Sequence, residues 1–389
     1  MNILVTGAKG FIGKNLIAQL NNISQGKAKG FNSLVGLVVL PFDMDSDPSL
    51  LAQYCNKADF VFHLAGVNRP KEVGEFMEGN FGFTSQLLAA LEQAGNKCPV
   101  MISSSIQAAL DNPYGISKKA GEELLFDYSK RTGAPVLVYR FPNVFGKWCR
   151  PNYNSAVATF CHNIANGLDI QINDPSVLIT LVYIDDVVNE LVNALISNPN
   201  REGEYCKVAV EHQAKLGEIV ELLCNFKKSR VNLLIPDLAD PFTKKLYSTY
   251  LSYLPTNTFS YPLKMNIDHR GSFTEFLKSP EQGQVSVNIS KPGITKGEHW
   301  HHTKNEKFLV VSGQGVICLR KIEIDELGTI ASKGEVFEYF VSGDKLEVID
   351  IPVGYTHNIQ NLGTTDMVTI MWANEQFDPE NPDTYFEEV

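Results

Sequence analysis

A chain of 389 residues, 44% hydrophobic and 20% charged, is long enough for two globular domains and has an ordinary folded composition. Its formal charge of −10 excludes nonspecific binding to nucleic acid, whose phosphates call for a basic face. No apolar run approaches the roughly 18 residues that span a bilayer, the N-terminus reads straight into a strand rather than a signal peptide, and the seven scattered cysteines form no CxxC pair, so a reduced, cytoplasmic protein without membrane partners is expected.

The first half alternates short apolar runs with helical patterns. "NILVTG" reads as a strand, and "FIGKNLIAQL" as a helix with Ile12, Leu16 and Leu20 in line. Between them lies Gly7-x-x-Gly10-x-x-Gly13. Glycines at a strand-to-helix turn let the backbone approach a pyrophosphate seated at the helix N-terminus. "DFVFHLAG" and "PVMISSS" read as buried strands, "NPYGISKKAGEELLFDYSKRTG" as a helix and "PVLVYRFPNVFG" as a further strand. This alternation predicts βαβ units and a parallel sheet. Tyr114 and Lys118 lie four residues apart on the predicted helix and share one face. A phenol, with its ordinary pKa of about 10, becomes a usable acid–base group near an ammonium. A hydroxyl of the upstream serine run is placed to share a substrate oxygen with it.

Residues Leu216 to Tyr253 read as helices that close this first domain, and "LPTNTFSYPLKMNIDHRGSFTEF" as a linker-like passage. Beyond it, "QVSVNIS", "KFLVVSGQGVICLR", "EVFEYFVSG", "KLEVIDIP" and "DMVTIMWA" are short strands punctuated by glycine, the pattern of a sandwich or barrel. Two domains are therefore expected, at 1–255 and 265–389. In the second, His299 and His301 are two apart on strand-like text, so both point to one side. Glu306 after a turn and His357 from a separate segment complete a candidate set of three imidazoles and a carboxylate, suited to zinc, manganese, iron or nickel. His302 falls on the other strand face.

The glycine loop, "HLAG", "SSS", Tyr114-x-x-x-Lys118 and "RFPNVFG" together resemble the extended short-chain dehydrogenase/reductase family over roughly residues 1–250. The resemblance implies Tyr114 as general acid/base, Lys118 as the group that lowers the tyrosine pKa and holds the nicotinamide ribose, and Ser105, with Ser104 as its rival, on the substrate carbonyl. It implies cofactor contacts from Gly7, Lys9, Gly10, Phe11, Ile12, Gly13, Ala65 and Pro142, and a substrate contact from Asn143. Ile106 and Gln107 stand where sugar-nucleotide dehydratases of the family carry an acidic pair, so dehydration is not supported. The acid expected about 20 residues past the loop, where it would grip a ribose hydroxyl, is missing: Ser33 and Leu34 fill that neighbourhood, and Asp43 and Asp45 come later. With Lys9 available to a 2′-phosphate, NADPH is the expected cofactor.

Gly293-x5-His299-x-His301-x4-Glu306-x6-Gly313 and Pro352-x-Gly354-x2-His357-x3-Asn361 resemble the two cupin motifs, with Leu346 in place of one expected glycine. An α/β Rossmann-like domain followed by an all-β cupin jelly roll resembles, over essentially the whole chain, the CapF-type enzymes of bacterial capsular polysaccharide synthesis. That resemblance implies C3 epimerisation of a UDP-linked 4-keto-6-deoxy-N-acetylhexosamine in the cupin and NADPH-dependent reduction at C4 in the first domain. The product would be UDP-N-acetyl-6-deoxy-L-talosamine, a precursor of N-acetyl-L-fucosamine, and zinc the divalent metal. The alternative is a sugar-nucleotide 4-epimerase with a passive cupin, which keeps its cofactor and shows no net oxidation. Exposed cupin edge strands make a homodimer the expected assembly.

Overall fold

In the computed structural model, which describes residues 1–324, 330 and 334–389, the apolar runs of the first half become strands of one sheet. β1 (Asn2–Thr6) leads through the glycine turn into α1 (Phe11–Ser24), whose Leu16 and Leu20 are fully buried. β2 (Val38–Phe42), α2 (Ser49–Lys57) and β3 (Phe60–His63) follow. The next helix is α at Gly74–Phe76 (α3), π over Met77–Gly82 and α again at Phe83–Gln93 (α4), and it delivers the chain to β4 (Val100–Ser105). The side chain of Asn112 accepts the Gly115 N–H at 2.8 Å and starts α5 (Pro113–Thr132), while Gly133 ends it at φ 76°. An Asn-Pro start and a left-handed glycine stop are the cheapest terminators a helix has.

β5 (Val136–Phe141), β6 (Asn143–Phe145), α6 (Ala156–Asn166), β7 (Leu178–Tyr183), α7 (Ile184–Leu195), β8 (Arg201–Glu202), β9 (Tyr205–Cys206) and β10 (His212–Lys215) complete the alternation. The main sheet has the order β2-β1-β3-β4-β5-β9-β8, parallel from β2 to β9, and a smaller sheet has the order β10-β7-β6. Alternate residues of each strand face opposite layers. Ile3, Val5, Phe60 and Phe62 pack with Leu16, Leu20, Val187 and Leu191, and Leu4, Val61, Val100 and Ile102 pack with Leu87, Leu91, Leu125 and Tyr128. β1 pairs with β2 on one side and β3 on the other, so the strand order reverses there. In such sheets a crevice opens at the carboxyl ends of the strands flanking the reversal.

After α8 (Leu216–Asn232) and α9 (Pro241–Leu251) the chain becomes all-β: β11 (Asn266–Asp268), β12 (Gly271–Ser279), β13 (Gly283–Ser290), β14 (Thr295–Trp300), β15 (Glu306–Ser312), β16 (Gln314–Lys321), β17 (Val336–Ser342), β18 (Val348–Ile351), β19 (Tyr355–Asn361), β20 (Met367–Ala373) and β21 (Tyr385–Phe386). They form two antiparallel sheets, β11-β12-β13-β20-β15-β18 and β17-β16-β19-β14-β21. Phe308, Val310, Ile317, Leu319, Ile351 and Ile359 make the apolar core. This is the cupin-like β unit.

Contacts divide the chain into Met1–Cys224 with Ala239–Pro255, and Asn225–Leu238 with Thr256–Val389. The division falls inside α8, so Asn225–Leu238, expected among the helices closing the first unit, groups with the second. The reason is a backbone pairing: the Lys278 N–H donates to the Leu233 carbonyl at 2.8 Å and the Ile235 N–H to the Lys278 carbonyl at 2.9 Å. The linker-like reading of residues 254–276 is also corrected, because β11 and β12 lie in it. Among the described residues no helix is long and apolar enough to cross a membrane.

One buried charge organises the sheet from within. Glu122 on α5, 1% exposed, takes two hydrogen bonds from Arg140 on β5, at 2.6 and 2.9 Å, and a third from Ser104. Removing one partner of such a pair strands the other. Glu122→Gln is expected to cost on the order of 3 kcal/mol, seen as a lower urea midpoint for the first unit, and an unchanged midpoint would show the pair to be idle.

Candidate functional site

The glycine turn sits at the sheet's reversal. Gly7 holds φ 68°, and a Cβ there would lie 2.6 Å from the Ala65 nitrogen beyond β3, so both the conformation and the approach require glycine. A Cβ on Gly13 would lie 2.2 Å from the Gly7 carbonyl oxygen, so α1 can close on the turn only without one. Gly10 caps α1 without a side chain, and the first turn carries no acid. The amides of Phe11, Ile12 and Gly13 therefore have no helical acceptor and face the crevice end of the helix, where an anion is favoured.

The structure adds to two readings at this corner. The acid past the glycine loop is present: α1 runs to Ser24, residues 25–37 delay β2, and Asp43 follows directly on Phe42, which pairs with Thr6. An Asp43 carboxylate oxygen accepts the Lys9 N–H at 2.7 Å. Nor is Lys9 a free cation, since its ammonium is paired with Asp45.

β4 ends at Ser105, which pairs in register with Phe141, so Pro142 and Asn143 leave β5 next to it. The pleat separates the two rival serines. Ser104 is committed to Glu122, whereas the Ser105 hydroxyl, which accepts the Gln107 N–H at 3.2 Å, is near enough to the Tyr114 phenol to favour its ionised form. Burial holds that phenol above its ordinary value, with the Ser105 bond opposing. Lys118 is 8% exposed, its ammonium donates to the Ser103 carbonyl at 3.1 Å and lies 5.9 Å from the Tyr114 ring centre, and burial brings it down to about 8. The sequence reading had the ammonium lowering the phenol; here burial dominates, and the opposing contact is Ser105. The structure thus brings Ser105, Tyr114 and Lys118 together. Asn143 is the exposed first residue of β6, its amide on the Thr180 carbonyl.

Supporting residues that sequence reasoning missed surround this set. Asn80, 4% exposed, bonds both the N–H and the carbonyl of Val67 and the Ser117 hydroxyl, each at 3.0 Å. His63 sits between the Thr6 and Thr84 hydroxyls, 2.8 Å from each, and burial together with Lys118 drives it down to about 3, so it stays neutral. A cleft of about 730 Å³, lined by Arg69, Asn152, Tyr153, Ser155, Gln171 and Asp174 among others, lies in the same unit. The "FGKWC-PNYNS" text runs into it, but no local pattern distinguishes its polar residues from ordinary loop.

In the second unit, Gly297 at φ 108° lies against the His357 carbonyl, which a Cβ would approach to 2.7 Å, and a bulge follows it. The bulge brings His299 opposite His357 on β19. The His299, His301 and His357 rings lie 4.6 to 5.4 Å apart, centre to centre. A Glu306 oxygen stands 3.6 Å from His301 Nε2 and 3.3 Å from His357 Nε2. One donor atom from each of the four residues falls within 4.8 Å of all the others. Both Nε2 atoms are buried and make no hydrogen bond, an arrangement that is costly in protein atoms alone and that a divalent cation satisfies. Burial and the neighbouring imidazoles lower His299 to about 4, keeping it neutral as ligation requires. Burial pushes Glu306 up, but His301 and His357 offset this and hold it well below the ordinary range. The residues present therefore fit a metal ion. His302 is exposed, set edge to face against Trp300 and Tyr385 and outside the cluster.

The chain's end reaches the same place. The Asp383 carbonyl contacts His301 Nδ1, and its carboxylate gathers the N–H groups of His302, Thr303 and Lys304 at 2.8 to 3.0 Å. β21 then pairs with β14 at His299 and Trp300. Asp383 orients a candidate ligand from 82 residues away, with no motif to mark it.

Residues 3–209 match the NAD dependent epimerase/dehydratase family, and residues 266–385 match the polysaccharide biosynthesis C-terminal domain. The chain is 45% identical to a UDP-2-acetamido-2,6-beta-L-arabino-hexul-4-ose reductase of Pseudomonas aeruginosa, over 99% of this chain and 98% of that one. The crystal structure of the capsular polysaccharide assembling protein CapF from Staphylococcus aureus matches with a TM-score of 0.90 at 55% identity, covering all of both chains. A stretch of the chain is similar to the spore coat polysaccharide biosynthesis protein SpsL of Bacillus subtilis, 28% identical over 126 residues, which is 31% of this chain and 81% of that protein. The chain belongs to the NAD dependent epimerase/dehydratase family and, within it, to the CapF-type enzymes of capsular polysaccharide synthesis.

Purified protein is expected to carry close to one divalent ion per chain by elemental analysis, and Glu306→Ala or His357→Ala to carry almost none. Truncation before Asp383 should weaken metal binding by about 10- to 100-fold, the usual effect of removing a group that orients a ligand.

Proposed function

We propose that this enzyme inverts C3 of a UDP-linked 4-keto-6-deoxy-N-acetylhexosamine in its cupin unit and reduces C4 of the same sugar in its first unit, giving UDP-N-acetyl-6-deoxy-L-talosamine for capsule synthesis. The observation that carries the reading is the Ser105–Tyr114–Lys118 set at the end of β4, in a chain that also gathers three imidazoles and a carboxylate. The named activity of the Pseudomonas relative, a reductase of a hexul-4-ose, supports it.

In the first unit the crevice holds a reduced nicotinamide dinucleotide, whose chemistry when bound is to supply a hydride to C4. The amides at the start of α1 take its pyrophosphate. The Ser105 hydroxyl donates to the C4 carbonyl oxygen and fixes its direction. Tyr114 Oη donates the proton that turns that oxygen into a hydroxyl, and the raised pKa keeps it loaded at neutral pH. Lys118, lowered by burial to about 8, lies beneath as the cation that steadies the phenolate left behind. The uridine diphosphate occupies the cleft beside Asn152 and Ser155, with Arg69 on its charge. The sequence reading favoured NADPH through Lys9; the catalytic groups need only the nicotinamide.

In the cupin unit, His299, His301, Glu306 and His357 hold a divalent ion, for which zinc suits the donor set, and the ion supplies positive charge close to the keto sugar. The C4 carbonyl makes the C3 proton acidic, so inversion at C3 has to come before reduction. β17 lies at a sheet edge among the described residues and exposes Phe337, Tyr339 and Phe340, which supports pairing of two copies as a homodimer. The seven cysteines are unpaired, in keeping with a reducing, cytoplasmic setting.

Incubation with the 4-keto sugar nucleotide, reduced nicotinamide and heavy water is expected to oxidise one nucleotide per sugar and leave deuterium at C3. Without nicotinamide the C3 exchange should persist, and Glu306→Ala should abolish it. Tyr114→Phe should lower the reduction rate by about 10²- to 10⁴-fold while nucleotide binding stays intact. A wild type that leaves C3 protium in place would remove the epimerase half, and cofactor that cycles without net oxidation would replace the reductase with a 4-epimerase.

A further inference from the structure

Lys118 carries a buried charge, and its hydrogen-bond partner is neutral. It is 8% exposed and donates to the Ser103 carbonyl at 3.1 Å. A carbonyl dipole receives one N–H but does not balance a charge, and an ammonium out of water keeps its proton only with an anion close by. Few charged or titratable groups face it. His63, from β3, is buried and neutral. Tyr114, one turn earlier on α5, is held in its protonated form by burial. β4 brings serines, and the π segment before α4 brings the uncharged Asn80. Glu122, one turn later on α5, is the one carboxylate that acts on the ammonium among the described residues.

Tyr114, Lys118 and Glu122 recur every four residues, so one face of α5 presents a phenol, an ammonium and a carboxylate in turn. Three successive residues of β4 meet them. The Ser105 hydroxyl lies beside the phenol, the Ser103 carbonyl takes the ammonium, and the Ser104 hydroxyl donates to the carboxylate. Glu122 is 1% exposed, and from β5 Arg140 meets it with both arms, Nε to one oxygen at 2.9 Å and Nη2 to the other at 2.6 Å. The guanidinium is itself held against Tyr205, 3.9 Å from the ring centre and 2.9 Å from the hydroxyl. A bidentate pair of this kind fixes a carboxylate in direction as well as in charge. Burial brings Lys118 down to about 8 even with Glu122 pulling the other way. With the carboxylate gone, burial acts unopposed and the ammonium gives up its proton closer to neutral pH or below it.

We propose that Glu122 is a positioning residue of the reductive site: its carboxylate keeps the Lys118 ammonium charged, and through Ser104 it fixes the strand end that carries Ser105. The inference rests on reading Ser105, Tyr114 and Lys118 as that site. A phenolate left by proton transfer needs its cation at the pH where the enzyme works, and the cation in turn depends on an anion that never touches the sugar. Arg140 holds that anion in place, so the buried pair serves the chemistry as well as the sheet.

The ionisation of Lys118 tests this without turnover. In the full chain carrying isotope-labelled lysine, the Lys118 side-chain NMR signal is the one absent from Lys118→Met, and its titration midpoint in the wild type is expected at about 8. Glu122→Gln alone strands Arg140 and weakens the fold, so the decisive variant combines Glu122→Gln with Arg140→Met and removes both charges together. Its Lys118 midpoint should fall by at least about one pH unit, whereas Glu122→Asp, which keeps the charge, should stay near the wild-type value. Reduction of the keto sugar should follow, its alkaline limb starting at least about one pH unit lower in the double variant. A folded double variant whose Lys118 titrates as in the wild type would overturn the proposal and leave Glu122 a purely structural group. A Lys118 midpoint that falls while the pH profile of reduction stays put would instead remove Lys118 from the reaction, sinking the reading of the site and leaving the link between the two charges intact.

Discussion

A polar atom taken out of water must find a partner inside the protein, and the two candidate sites meet that demand in opposite ways. In the first unit the most exacting case is Lys118, whose buried ammonium is received by the Ser103 carbonyl. That one contact fixes much around it. A Cβ on Gly66 would come within 3.0 Å of the ammonium and 2.6 Å of Asn80 Oδ1, so the chain beyond β3 must be bare there. Asn80 then secures the Val67 backbone, and His63 stays neutral between two threonines because burial, and after it the neighbouring cation, oppose its charging. Around Lys118 the first unit supplies its own partners, with Tyr114 and Ser105 beside it at the end of β4.

The cupin unit is not complete in that sense. His301 Nε2 and His357 Nε2 are buried, unbonded and aimed at a carboxylate that the same two rings hold ionised. Orphaned acceptors converging on one point would destabilise the fold unless something positive occupied it. Rigidity around the cluster points the same way. Gly297 and the bulge after it bring His299 into line with His357, and Asp383 clasps the loop after His301 with a fan of three N–H groups. Side chains held this firmly in an otherwise unfavourable geometry are the usual preparation for a metal ion.

What was legible in the sequence, and what was not, follows from the range of the forces involved. Tyr114 and Lys118 are set by one helical turn, the ends of α5 by Asn112 and Gly133, and the nearness of His299 to His301 by their spacing of two at the end of one strand; all are local geometry. Other features depend on distant chain. Whether Ser104 or Ser105 faces Tyr114 depended on where Glu122 lay on α5. The acid at the end of β2 was misjudged because residues 25–37 lengthen the connection, and only pairing with β1 shows that Asp43 ends the strand. The first part of β12 fell within the linker-like passage, and what makes it a strand is its ladder with β13. The tail of α8 is claimed by Lys278, far along the chain, and Asp383 acts across 82 residues. Nothing local carries any of these.

The order of the two proposed reactions constrains the first unit further. Once C4 is reduced, the C3 proton is no longer acidic and the configuration is locked. A reductase that accepted the uninverted sugar as readily as the inverted one would therefore trap part of the flux in the wrong product, however fast the cupin works. Selection has to come from groups that sense C3 while Ser105 and Tyr114 hold the oxygen on C4. Asn143 stands immediately beyond the strand end paired with Ser105, on the exposed face of β6, and its amide nitrogen is already used by the Thr180 carbonyl. Its remaining oxygen is an acceptor in a fixed direction, and an acceptor distinguishes a hydroxyl that points towards it from an epimer whose hydroxyl points away. A polar group left unpaired in the wrong complex discriminates more sharply than any hydrophobic wall of the same size.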